Sequence, residues 1–96
     1  MTASRVIEAA STGGNIAGNS VESISQYDIF QPGIGIYGNG LFDVRENSII
    51  SIMGGTFGVD CSAATGSTVR VHDNMIDGFT TGLNNCTDAG ENDISP

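Results

Sequence analysis

The chain has 96 residues and a net charge of −8, with no Lys at all. A length of this order supports one small domain, which buries only about two thirds of its unfolded surface. The missing basic footprint argues against nucleic acid, and the same charge argues against an anionic membrane surface.

Residues 1–13 read as a lead-in. Arg5–Ala10 suits a turn or two of helix, which Ser11-Thr12-Gly13-Gly14 would break, and such a helix would cap the open end of the remaining domain. Arg5 and Glu8 interrupt any apolar signal segment, and no run approaches membrane-spanning length.

From residue 14 onward the chain repeats itself. Ile16-Ala17-Gly18-Asn19-Ser20-Val21-Glu22-Ser23-Ile24 has the pattern apolar-x-x-Asn-x-apolar-x-x-apolar. Val44 to Ile52 and Val71 to Phe79 match it position for position, and Ala89 to Ile94 is a truncated copy. The four Asn stand at 19, 47, 74 and 92, at steps of 28, 27 and 18 residues. A second marker, Gly35-Ile36, Gly58-Val59 and Gly82-Leu83, recurs at steps of 23 and 24. Two markers at a similar period indicate a repeat architecture. Abundant Gly and Asn exclude the long helical runs of an αα-repeat, leaving short strands that meet at tight corners.

Stacked one layer on another, the copies align three apolar columns as a core. These are Ile16/Val44/Val71, Val21/Ile49/Ile76/Ile94 and Ile24/Ile52/Phe79. At the corner, Asn tolerates the left-handed backbone, and its amide can hydrogen-bond to the layers above and below. Asn19, Asn47, Asn74 and Asn92 are therefore the expected structural ladder. Cys61 and Cys86 fall on adjacent layers, where either a disulfide or a pair of buried thiols fits. Asn85-Cys86-Thr87 spells a glycosylation sequon, a weak signal at three residues.

These Asn-x-Ile and Gly-Ile repeats resemble the right-handed parallel β-helix of the pectin lyase-like superfamily, of the carbohydrate-binding and sugar-hydrolysis, NosD-like type. The resemblance spans about residues 14–95 and implies an all-β, short right-handed parallel β-helix, a solenoid of about four coils. Its members are usually several-fold longer. It also implies an extracellular or periplasmic setting, although the chain shows no signal peptide. Function within that superfamily ranges over enzymes, adhesins and spacers, so the fold alone does not select one.

Candidate sites lie along the columns. Glu46, Asp73 and Glu91 precede their Asn on successive layers, where a Ca²⁺ ion would relieve like-charge repulsion; the plainer reading is a solvated acidic ridge. Arg45 and His72 form the adjacent column. In lyases that the chain resembles, an Arg near Ca²⁺ acts as base, a role open to Arg45 or Arg70, although surface pairing is the commoner use of such residues. Asp60, Asp73 and Asp77 offer carboxylate pairs of the kind that glycoside hydrolysis needs. Tyr27, Phe30, Tyr37, Phe42 and Phe57 are candidates for stacking on sugars, with Tyr37, Phe42, Arg45 and His72 the preferred binding set.

The expectation is a non-catalytic module for polysaccharide recognition or structural assembly, part of or associating into a larger stack. The alternative is a fragment of a polysaccharide lyase, hydrolase or carbon-5 epimerase. No cofactor is required beyond the Ca²⁺ just considered.

Overall fold

The structure, a computed structural model, describes residues 7–23, 32–64 and 68–95. Among them there is no helix. Eight strands run in order: β1 Ile7–Ala17, β2 Ser20–Ser23, β3 Ile34–Arg45, β4 Ser48–Ala63, β5 Thr68–His72, β6 Met75–Asn84, β7 Thr87–Gly90 and β8 Asp93–Ser95. Every pairing between them is parallel. The hydrogen-bonded path runs β7-β5-β3-β4-β6-β8, with β1 on β3 and β2 on β4.

Parallel pairing requires a long connection between partners, and here the rest of each repeat supplies it. Ile16 lies opposite Val44, and Val44 opposite Val71. Val21 pairs with Ile49, Ile49 with Ile76, and Ile76 with Ile94. Both columns therefore stand in register, and their members are almost wholly buried except Ile94, which is 42% exposed. A further set, Ile34, Val59 and Leu83, also stands in register, and the buried ring of Phe42 packs in the core beside Val69.

Four expectations need correction. Ile7–Ala10 are strand, in register with Ile34–Tyr37, so the sheet begins well before residue 14 and the proposed helical cap is not formed there. Pairing with β3 overrides a weak local helix preference. Residues 1–6 lie outside the described part. Strands β1, β3, β4 and β6 run to 10–16 residues where short ones were expected, because the chain bends through irregular registers rather than breaking pairing, while β2, β5, β7 and β8 have the expected 3–5.

The third apolar column is also different. Ile24 lies outside the described residues, Ile52 is 66% exposed, and Phe79 pairs with Gly55 instead. The register shifts between Ile50 and Gly55, and four residues of β4 (51–54) oppose the single Gly78 of β6. Gly78 has φ +87°, and the Ser51 carbonyl lies where a Cβ would stand, so no larger residue fits this pinch. Ile52 is pushed outward on the bulge.

The Gly marker is shifted by two residues. Ile34, not Ile36, lies opposite Val59, so the aligned glycines are Gly33, Gly58 and Gly82. They let the Ile column close up: a Cβ at Gly58 would lie 2.5 Å from Ile76 Cγ2, and one at Gly82 would lie 2.5 Å from Ile94 Cγ2.

Candidate functional site

The corner between β3 and β4, repeated between β5 and β6, organises the polar residues. The left-handed position is the residue before each Asn: Gly18 (φ 71°), Glu46 (55°), Asp73 (56°) and Glu91 (57°). This corrects the assignment of that conformation to Asn. The Asn instead comes just after the bend and turns its amide inward. Asn47 and Asn74 are only 3% and 2% exposed.

Their amides form a continuous ladder. Oδ1 of Asn47 accepts from the backbone N–H and Nδ2 of Asn19, both at 3.0 Å. Oδ1 of Asn74 accepts in the same way from Asn47, and Oδ1 of Asn92 from Asn74. Each Nδ2 also donates one layer back: Asn47 to Ile16 O, Asn74 to Val44 O and Asn92 to Val71 O. A buried amide is tolerable only with its groups paired, and these are.

Outside the corner, residues flanking the buried Val44 and Val71 face solvent. Alternation along β3 and β5 puts Asp43 and Arg45 on the same face as His72, with Asn15 on β1 beside Asp43. His72 Nε2 lies 2.6 Å from Asp43 Oδ1, and its Nδ1 lies 2.7 Å from Asp73 Oδ2. Arg45 donates from a terminal nitrogen to Asp43 Oδ2 at 3.2 Å and to Asn15 Oδ1 at 3.3 Å. Its Nε reaches Glu46 Oε1 at 3.3 Å. One strip thus interlocks Asn15, Asp43, Arg45, Glu46, His72 and Asp73 across three strands and the corner.

The imidazole meets a carboxylate at each nitrogen, an arrangement that only the doubly protonated ring satisfies at both. Its hydrogen bonds to Asp73 and then Asp43, together with their charges, outweigh partial burial and raise the His72 pKa above its ordinary value. For Asp43, burial pushes upward, but the hydrogen bond and charge of His72 and those of Arg45 prevail and lower it. Both ring nitrogens of His72 and both Asp43 oxygens are engaged within the strip.

The other candidates are dispersed. Phe42 is 1% exposed and belongs to the core, which removes it from the binding set. Tyr37 is partly exposed on the early part of β3, away from the strip, Phe57 is half-buried, and Tyr27 and Phe30 lie outside the described residues. Glu46, Asp73 and Glu91 share a column but not a purpose: the first turns to Arg45, the second to His72, and Glu91 is exposed. Among the described residues no group of three or more His, Cys, Asp or Glu is placed to hold a metal. Arg70, two residues from His72 on β5, is exposed and makes no ion pair with the described residues.

Asp60 is held by the Ser62 N–H and Asn84 Nδ2, each at 3.0 Å. Partial burial raises its pKa, but these hydrogen bonds more than compensate and leave it lowered. It forms no hydrogen bond with Asp73 or Asp77. Nearby, Cys61 and Cys86 form a disulfide with Cα atoms 5.2 Å apart, joining β4 to the segment after β6. Asp43 and Asn15 do not stand out in the sequence, although alternation outward from Val44 and Ile16 would have located them.

No cavity or cleft opens among the described residues. Comparisons with models of known protein families, with curated proteins and with solved structures find no match.

Proposed function

We propose that the chain is a short right-handed parallel β-helix serving as a non-catalytic module for polysaccharide recognition or structural assembly. The observation that carries this reading is the interlocked strip on the β1-β3-β5 face. It presents Arg, His, Asp and Asn side chains on one face of β1, β3 and β5, each held in place by its neighbours. Polar groups ordered before binding lose little freedom when a sugar hydroxyl docks on them. Both His72 nitrogens are engaged, which speaks against its use as a free acid or base in catalysis. In-register parallel pairing at successive repeats supports the β-helix. The Cys61–Cys86 bridge suits an oxidising setting, such as the periplasm or the cell exterior.

The test is a panel of neutral and acidic polysaccharides, with and without Ca²⁺, scored for binding and for new chain ends. Binding without new ends, weakened about tenfold or more by Arg45→Ala, is the expected result; each tenfold is about 1.4 kcal/mol. New chain ends would overturn the non-catalytic reading in favour of a lyase or hydrolase fragment. No binding to any polymer would leave structural assembly.

A further inference from the structure

The Asn ladder ends in an unusual way. Nδ2 of Asn19, Asn47 and Asn74 each donates to Oδ1 of the next Asn, at 3.0, 2.9 and 3.0 Å. Asn92 is the last Asn of the ladder. Its Nδ2 donates instead to Asp88 Oδ1 at 2.7 Å, and the same oxygen accepts the Gly90 N–H at 2.9 Å. The Asp88 carboxylate supplies the acceptor that a further rung would have brought.

Asp88 also interrupts the core. It lies opposite Val71, so it continues the column Ile16, Val44, Val71, whose three members are buried and apolar. Beside it, the register between β5 and β7 shifts between Val71 and His72, leaving Ala89 as an extra residue in the outer strand. The strand that carries Asp88, β7, has only 4 residues. Short strands, bulges and a charge in an apolar column are the ways natural sheets keep their edges from pairing with another chain.

We propose that Asp88 is a stop residue, closing the β7 edge to the sheet edge of a second copy of this chain. An incoming strand would have to displace Asp88 from the Asn92 amide and bury its carboxylate without a cation, both unfavourable. What the stop guards is visible in Ile94, 42% exposed at the end of its otherwise buried column. The proposal needs only the ladder and the register, and it stands whether or not the polar strip binds glycan.

The experiment is sedimentation velocity of the full chain over a wide concentration range. Asp88→Val restores the apolar column and frees the Asn92 amide. Asp88→Asn keeps an oxygen for Asn92 and Gly90 but removes the charge, so it decides the matter if Asp88→Val fails to fold. The expected result is self-association at least about tenfold stronger than wild type, close to 1.4 kcal/mol, for Asp88→Val, and a smaller gain for Asp88→Asn. Adding Ile94→Asp to Asp88→Val should return it to the wild-type curve. Folded Asp88 variants that sediment as wild type would overturn the proposal. So would a gain that survives Ile94→Asp, since the association would then use another surface.

Discussion

Replacing Asn74 by Ala tests whether the ladder is a structural core in its own right. Asn74 is 2% exposed, so water cannot substitute for what the change removes. The Asn47 N–H and Nδ2 lose their common acceptor, and Val44 O, His72 O and Asn92 Oδ1 each lose a donor. A buried polar group left unpaired costs about 1–3 kcal/mol. Some of these groups keep a second partner, so a total of roughly 3–5 kcal/mol is expected, at the upper end for single substitutions. A domain of this size is stable by only about 5–15 kcal/mol. Asn19→Ala removes a single side-chain donor at a part-buried position, and Asn47 Oδ1 keeps the Asn19 N–H, so about 1 kcal/mol is expected. Urea unfolding monitored by circular dichroism reads the difference. With a slope of about 1–3 kcal/mol/M, the midpoint should fall by roughly 2 M for Asn74→Ala and by well under 1 M for Asn19→Ala. Equal shifts for the two variants would refute the claim that burial and reciprocal pairing make the inner rungs essential.

The same geometry sets two more outcomes. Reducing the Cys61–Cys86 bridge, whose partners are 25 residues apart, should cost about 3–4 kcal/mol in thermal or urea unfolding, and amide exchange should quicken first in residues 87–95. A reduced protein with unchanged midpoint would count against that. The pH dependence has a definite sign: because folding raises the His72 pKa, its stabilisation is complete below the ordinary value of 6.5 and is lost as pH rises through the folded value. Folding lowers that of Asp43, so its contribution is present above 3.8 and fades as pH falls through the depressed value. The strip should therefore favour folding most between these limits, and His72→Gln should remove the alkaline loss. Since His72 is the only His, its proton resonances report the folded value directly, and a midpoint at or below 6.5 would exclude the two-carboxylate clamp.

Much of the core was legible because side chains that stack in parallel register repeat at the period of the chain. The Asn positions and the Val44 and Ile49 columns needed no coordinates. The failures have one origin. Ile52 matches Phe79 in the repeat pattern, but a bulge shifts the register between them, and a pattern of residue types carries no count of bulged residues. Gly35 precedes an Ile as plausibly as Gly33 does, and only the pairing of Ile34 with Val59 separates them. Phe42 is set among the sugar-stacking candidates by residue type, although alternation with Val44, already placed in a core column, turns it inward.

By itself the sequence determined the repeat, two of the three apolar columns and the place of the amide ladder, since these depend on residue type recurring at a fixed interval. Tertiary structure alone decided which polar groups meet. Asp43 joins His72 across 29 residues, and Arg45 joins Asn15 across 30. Such contacts depend on ångström-scale placement of side chains from different layers, and composition and spacing do not contain it.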